Sequence, residues 1–134
     1  IMSDMNFNPD LKTIMNKEDL ENIKNEINKI AISESLEKYI IEIIFATRTP
    51  GEYGLEKLQD YILYGASPRA TIQLNLAAKV LAYLDGRDYV IPEDIKDIAP
   101  DILNHRIILT YEAEAENIKT QDIIQSILNS IAIS

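Results

Sequence analysis

Residues 67–85 carry the strongest folding signal in this chain of 134 residues. Apolar side chains recur there at spacings of three and four residues, which is the period of an α-helix. They form two neighbouring stripes, one of Ala70, Leu74, Ala77, Leu81 and Leu84, the other of Ile72, Leu76, Val80 and Tyr83. A helix that is apolar over so wide an arc is typical of the centre of a bundle. We therefore expect it to be the most buried helix, and Gly86 to form its left-handed C-terminal cap.

Three further segments have the pattern of an amphipathic helix. In the first, Asn16 is a candidate N-cap and apolar residues recur as far as Ile30. Ser33 can cap a second helix that runs toward Thr47, and Thr120 can cap the last helix of the chain. The side-chain oxygen of each cap residue can accept a hydrogen bond from a free N–H of the first turn. Together with residues 67–85, these segments predict four main helices.

The remaining segments are shorter and less regular. Residues 50–65 predict a structured loop with one or two helical turns. Pro92 suits the first position of a short helix. Pro100 is expected to end that helix, because proline lacks the N–H that a helix needs, and it is also suited to open a further one through Ile102 and Leu103 to about His105. Residues 107–109 fit either a strand or a buried connection, and residues 112–117 form an acidic link.

These elements predict an all-α fold, a small helical bundle with four main helices and one or two short ones. Residues 16–134 would form this domain, and residues 1–15 an irregular lead-in.

The charge balance limits the partners of the chain. It has 13 Lys and Arg against 22 Asp and Glu, a formal net charge of −9. Such a surface repels phosphate backbones and anionic lipids, so we expect no nucleic-acid and no membrane partner. The chain has no cysteine and no apolar run near the roughly 18 residues that a membrane span needs. These features favour a cytoplasmic protein.

The catalytic and metal-binding motifs that a small enzyme needs are missing from the sequence. None of the four glycines is followed by the lysine of a phosphate-binding P-loop, and there is no Gly-x-Ser-x-Gly motif. With one histidine, His105, and no cysteine, we expect no metal site. Glu112, Glu114 and Glu116 fit a solvated linker better than a cation site. The chain alone is therefore expected to be inactive.

One short run is chemically distinctive. In Gly65-Ala-Ser-Pro-Arg-Ala70, Ser67 suits the N-cap, Pro68 the first helical position and Arg69 the first turn. A cation at a helix N-terminus is unfavourable by a few tenths of a kcal/mol, but free N–H groups and a guanidinium together suit a phosphate. Judged from these residues alone, pairing of Arg69 with a nearby carboxylate is the more common arrangement.

The same run resembles the signature that opens the main lid helix of MoxR-family AAA+ ATPases. Later blocks resemble that family in the same order, and the resemblance spans about residues 50–131. These blocks are Gly86-Arg-Asp-Tyr-Val90, Pro92-Glu-Asp-Ile95, His105-Arg106 and Tyr111-Glu-Ala-Glu-Ala-Glu116.

The resemblance implies that Arg69 is the sensor-2 arginine, which reaches the γ-phosphate of ATP bound at the ATPase core. Ser67, Pro68 and Arg69 would then meet the phosphate only when that core is present, with ATP and magnesium as cofactors of the intact enzyme. It also implies that residues 1–15 are a remnant of the core-to-lid connection.

The partners implied are the protein's own core, neighbouring subunits of a homo-oligomeric ring, and a client protein that is remodelled or assembled. A protein with a von Willebrand factor A domain is a further implied partner. The alternative is a stand-alone helical adaptor that binds a protein partner and has no nucleotide role.

Overall fold

A computed structural model of the protein describes residues 16–134, and these residues form a helical bundle, which confirms the predicted all-α class. The α-helices are α1 (Lys17–Asn28), α2 (Glu34–Arg48), α3 (Ala70–Leu84), α4 (Pro92–Leu103), α5 (Tyr111–Ala115) and α6 (Thr120–Ser130). Two 3-10 helices, Pro50–Tyr53 and Glu56–Asp60, precede the strand β1 (Ile62–Tyr64), and β2 (Ile108–Leu109) follows α4. The predicted lead-in, residues 1–15, lies outside the described residues. Within the described part, no helix is long and apolar enough to cross a bilayer.

Local caps start the first two helices as predicted. The Asn16 side chain accepts a hydrogen bond from Asp19 N–H at 2.8 Å, and the Asp19 carboxylate accepts one from Asn16 N–H at 3.2 Å. The Ser33 hydroxyl accepts from Leu36 N–H at 3.2 Å. The prediction for the last helix was one residue off, because Lys119 is the N-cap and Thr120 is already helical.

The core lies between α2, α3, α4 and α6: α3 packs most extensively against α4 and also against α2, and α6 contacts both α2 and α4. Burying one large apolar side chain contributes about 1.5–3 kcal/mol, so these helices hold most of the stabilising surface. The largest fully buried apolar side chains are Tyr39, Ile40, Ile43, Ile44, Leu74, Ile95, Leu103, Ile123, Ile124 and Ile127.

The prediction that α3 is the most buried helix was wrong. Its buried residues are Ala70, Leu74, Ala78 and Ala82, so three of the four are alanines. Several large residues of the predicted stripes are exposed instead, with Ile72 at 70% and Leu84 at 73%, and Leu76 is half exposed. The small side chains lie on the inner face of α3, where they let neighbouring helices approach closely. The large apolar side chains lie on its outer face.

Pro100 does not end α4, contrary to prediction. The helix runs through it to Leu103, and Pro100 O still accepts a hydrogen bond from Asn104 N–H at 2.9 Å. Ile95, Ala99 and Leu103 are buried on both sides of the proline. Their burial outweighs the one missing backbone hydrogen bond, which costs about 3 kcal/mol or more in a helix interior.

Residues 50–65 contain the predicted helical turns and a strand that was not predicted. The strand β1 pairs with β2 in antiparallel register, Ile62 opposite Leu109 and Tyr64 opposite Ile108, with an irregularity between the two pairs. Residues 107–109 are therefore partly a strand rather than a simple connection. The acidic link was also wrong in part, because Tyr111–Ala115 is helical and the Thr110 hydroxyl caps it through Ala113 N–H at 3.2 Å.

Gly86 ends α3 as predicted. Its φ is +77°, and the N–H groups of Gly86 and Arg87 donate to the carbonyls of Tyr83 and Ala82. This is the pattern of a Schellman cap, in which a left-handed residue closes the last helical turn. The chain then turns past α1, where Tyr89 forms a parallel bridge with Ala31.

Candidate functional site

Arg69 lies in an exposed turn immediately before α3. The three residues Ser67, Pro68 and Arg69 are exposed, whereas Ala66 on one side and Ala70 on the other are buried. The turn is therefore attached to the core at both ends and presents its middle to solvent. The three consecutive residues that the sequence predicted for phosphate contact therefore share one exposed turn.

The prediction that Ser67 is the N-cap, Pro68 the first helical residue and Arg69 part of the first turn was two residues early, because α3 begins at Ala70. Arg69 is the residue that precedes the helix, it has helical backbone angles (φ −59°, ψ −28°), and no side chain caps the helix start. The Ser67 carbonyl instead accepts from Ala70 N–H at 2.9 Å, and the Pro68 carbonyl from Thr71 N–H at 3.1 Å. The Ala70 N–H thus already has an acceptor, in a turn that is tighter than an α-helical one. It therefore needs no hydrogen bond from a serine cap.

The Arg69 side chain has no partner among residues 16–134. The ion pairs in this part of the chain join Lys24 to Glu21 and Arg87 to Asp85 and Asp94. No side-chain hydrogen bond of Arg69 occurs there either, unlike Arg48, Arg87 and Arg106. The carboxylate pairing that the acid-rich sequence favoured is therefore not found within the described residues.

An exposed face of α3 continues from Arg69 along the helix. Ile72, Gln73 and Leu76 are exposed at three, four and seven residues beyond it, the spacing that places side chains on one side of a helix. Leu76 and Val80 also line a shallow apolar groove against α1, together with Ile27. The outer face of α3 thus combines a guanidinium at its N-terminal end with apolar side chains along its length.

Gly65 fixes where this turn meets α2. A Cβ atom on Gly65 would lie 2.2 Å from the Thr47 carbonyl oxygen and 2.8 Å from the Arg48 backbone nitrogen. Every residue other than glycine carries a Cβ, so the close approach of the two backbones requires glycine here. The sequence motif includes Gly65 but not Thr47. In the sequence, Thr47 stands out only as a polar residue that follows the apolar residues of α2.

A second arginine, Arg87, has a contrasting environment just after α3. Its Nη1 and Nη2 atoms donate to the two Asp94 carboxylate oxygens at 2.8 and 2.7 Å, and its Nε atom donates to Asp85 at 3.0 Å. Nη1 also donates to the Tyr89 carbonyl at 2.9 Å. The two carboxylates raise the pKa of Arg87, which stays charged.

Asp94 is buried at the start of α4. Burial raises the pKa of its carboxyl, but hydrogen bonds from Arg87 and from Ile91 N–H lower it by more, and the net pKa lies below the usual value. The pair ties the turn after α3 to the first turn of α4. Its role is structural, and in the sequence Asp94 stands out only as part of the block Pro92-Glu-Asp-Ile95.

Arg106 and Tyr61 have ordinary structural roles. Arg106 Nη1 donates to the Ile102 carbonyl at the end of α4, as expected for a cation at a helix C-terminus. The Tyr61 hydroxyl donates to the Glu116 carboxylate at 2.9 Å, which raises the pKa of Tyr61. Within residues 16–134, no three His, Asp or Glu side chains cluster closely enough to hold a metal ion.

Comparison with known proteins places this geometry in a family. The AAA lid domain family matches residues 57–127. The chain is 36% identical over 125 residues to Chaperone MoxR1 of Mycobacterium tuberculosis, covering 93% of this chain and 33% of that protein. It is 32% identical over 108 residues to Protein MoxR of Methylorubrum extorquens, covering 76% of this chain and 31% of that protein.

A solved structure agrees with these matches. A crystal structure of a candidate ATPase from Cytophaga hutchinsonii has a TM-score of 0.88 and 62% sequence identity, covering 98% of this chain and 40% of that one. The chain thus spans about a third of the length of the curated relatives it matches. The chain belongs to the AAA lid domain family, as the lid of a MoxR-type AAA+ protein.

Proposed function

We propose that this lid serves an ATP-hydrolysing MoxR-type AAA+ protein, and that Arg69 is its sensor-2 arginine. In this role the Arg69 guanidinium contacts the γ-phosphate of ATP held by the ATPase core and couples hydrolysis to lid movement. The observation that carries the proposal is the exposed Arg69 side chain, which has no partner among residues 16–134, at the N-terminal end of α3.

The positive charge at the start of α3 suits a phosphate ligand. A helix N-terminus carries about half a positive charge, and a guanidinium there adds a full one, so the two repel each other slightly in the isolated lid. A phosphate group removes this repulsion and accepts charge-assisted hydrogen bonds from the guanidinium. The arrangement therefore becomes favourable when an anion is present, as a nucleotide sensor requires.

ATP and magnesium belong to the intact protein in this proposal. Ser67, Pro68 and Arg69 supply one positive side chain and a helix end, which suit a phosphate oxygen but cannot replace a P-loop. We expect the core to hold the nucleotide and the metal, and the 134-residue chain alone to bind ATP weakly and to hydrolyse none. A calorimetric titration of this chain with ATP that gave micromolar affinity would contradict this expectation.

The exposed side of α3 supports a docking role for the lid. Ile72 and Leu76 lie on the same side of the helix as Arg69, so a surface that covers them also reaches the guanidinium. We expect this surface to be the ATPase core of the same or a neighbouring subunit in a ring. The lid would then stabilise a chaperone-like machine that remodels a client protein, in line with the chaperone name of one relative.

The decisive experiment is steady-state ATP hydrolysis by the full-length protein with and without Arg69. We expect Arg69→Ala to lower kcat about 100-fold, because removing one preorganised donor to a developing anion costs about 10²–10³ in rate. Arg106→Ala is the matched control, because it removes an exposed arginine of the same domain whose contact is to the end of α4.

Unchanged turnover in a folded Arg69→Ala protein would overturn the sensor assignment. The lid would then fit the alternative function, a helical domain that binds a protein partner without a nucleotide role.

A further inference from the structure

We propose that Thr47 and Arg48, at the C-terminal end of α2, are positioning residues that hold the Ala66 peptide and thereby set the place of Arg69. The inference rests on the proposed function, because it concerns how the nucleotide sensor is positioned. It adds two residues that lie outside the Gly65–Arg69 sequence motif, 18 and 19 positions before Ala66.

Thr47 is a polar side chain with no solvent exposure. Its hydroxyl donates to the Ile44 carbonyl at 2.6 Å within α2 and accepts from Ala66 N–H at 2.9 Å. Both hydrogen-bonding functions of the hydroxyl are therefore used, one inside the helix and one across to the turn that leads to Arg69. A valine would fill the same space but would leave Ala66 N–H buried without a partner.

Arg48 holds the other side of the same residue. Its Nη1 atom donates to the Ala66 carbonyl at 3.2 Å. The backbone of Gly65 meanwhile packs directly on the Thr47 carbonyl, too closely for a Cβ atom. Ala66 is thus held at its N–H, at its carbonyl and through its preceding residue, and all three contacts come from the last turn of α2.

Few torsion angles separate this anchored residue from the sensor. Ser67 and Pro68 lie between Ala66 and Arg69, and the proline ring fixes φ of Pro68 near −65°. Ser67 is restricted as well, because a residue before proline avoids the helical region. Beyond Arg69, the buried Ala70 begins α3. A shift of Ala66 is therefore passed on to the Arg69 backbone instead of being absorbed by a flexible loop.

The test uses ATP hydrolysis by the full-length protein with Thr47→Val, Thr47→Ser and Thr49→Val. A misplacement of about 1 Å at a reacting group can lower the rate ~100-fold. Because Thr47→Val removes one of three contacts to Ala66, we expect a smaller loss, about tenfold in kcat with little change in KM. Thr47→Ser keeps the hydroxyl and should restore most of the rate. Thr49→Val is the matched control, since the Thr49 hydroxyl bonds only to Phe45 O within α2 and does not reach the turn.

A combined variant separates positioning from general stability. If Thr47 acts through Arg69, Thr47→Val should lower kcat in the wild-type background and have no further effect in an Arg69→Ala background. Equal losses in both backgrounds, or no loss in either, would overturn the inference. If Thr47→Val fails to fold, Arg48→Met provides the same comparison through the Ala66 carbonyl, with an expected loss of about threefold and the same contradicting outcomes.

Different results would overturn the proposed function and the positioning role of Thr47. An Arg69→Ala protein with normal turnover would overturn the proposed function, and the inference with it. A slow Arg69→Ala protein beside a Thr47→Val protein of normal rate would leave Arg69 as the sensor and remove Thr47 from its positioning.

Discussion

The two ends of α3 carry arginines with opposite surroundings. Arg87, just past the C-terminal end, donates to two carboxylates and a carbonyl, and its partner Asp94 is buried. Arg69, at the N-terminal end, is exposed and has no partner within residues 16–134. Both arginines lie in sequence blocks that resemble the same family, but only Arg87 is used to hold this domain together. A motif residue whose hydrogen bonds are satisfied internally serves the fold, whereas one left unsatisfied is available to a ligand or partner.

The two sides of α3 repeat this contrast in apolar residues. Leu74 is fully buried, and Ile72, two positions away, is largely exposed. Leu74 therefore contributes to the core of the bundle, whereas Ile72 contributes little to it. Substitutions on the two sides should therefore separate stability from function.

The largest effect on stability is expected for Leu74→Ala. Leu74 is fully buried, and truncating a buried leucine costs about 2–5 kcal/mol through lost burial and a residual cavity. Urea unfolding of the 134-residue chain measures this cost. Ile72→Ala is the matched control, with an expected change within about 0.5 kcal/mol because its side chain is exposed. Equal losses at the two positions would contradict the assignment of the inner and outer sides.

A smaller loss of stability is expected for Asp94→Asn. The substitution keeps the shape but removes the charge that accepts two hydrogen bonds from Arg87. Hydrogen bonds to charged groups contribute about 1.5–3 kcal/mol, and we expect a loss of about 2 kcal/mol at pH 7. Thermal or urea unfolding tests this value. A variant as stable as wild type would show that the contact between α3 and α4 does not depend on this pair.

The contribution of Asp94 should also depend on pH. Its pKa is lowered in the folded state from an ordinary value of 3.8, so the unfolded chain binds the proton more readily. The stabilisation is therefore complete above the unfolded pKa and is lost as the pH falls through the folded pKa. The difference in the free energy of unfolding between wild type and Asp94→Asn should be largest at pH 7 and smaller at pH 3. A difference in the free energy of unfolding that does not change with pH would show that the stabilisation does not come from the ionised Asp94 carboxylate.

The smallest effect on stability is expected for a substitution of Arg69. Removing a cation from a helix N-terminus should leave stability unchanged or raise it by about 0.3 kcal/mol at low salt. Urea unfolding of Arg69→Gln at low and high salt measures this, and the gain should disappear at high salt through screening. A clear loss of stability would mean that Arg69 has a structural partner after all.

The features of this fold that depend on local chemistry could be predicted from the sequence. The capping side chains of Asn16 and Ser33 act within one helical turn, and Gly86 adopts the left-handed angles that its position requires. The place of Arg69 at the start of α3 followed from Pro68 and the apolar period behind it. These interactions involve neighbours in sequence, so the pattern contains the information.

The errors concern interactions between distant residues. Apolar period alone could not show which side of α3 would be buried, because Ile72 and Leu76 have the same helical period as buried residues and yet are exposed. Pro100 is tolerated through burial on both of its sides, and Thr47 gains its meaning only from Ala66, 19 positions later. A sequence pattern reports that a residue is apolar or polar, but not which partner it meets.

The length of α3 has a mechanical consequence. Its 15 residues make a stiff rod of about 22 Å, with Arg69 at one end and the turn of Gly86 and Arg87 at the other. A pivot of about 10° around the Arg69 end would swing the far end by roughly 4 Å, because displacement grows with the length of the arm. The Arg87–Asp94 pair joins that far end to α4, so the swing would carry α4 along. In the proposed role of Arg69, a small rotation of the lid about that end would therefore appear as a displacement of several ångströms at the far end of α3.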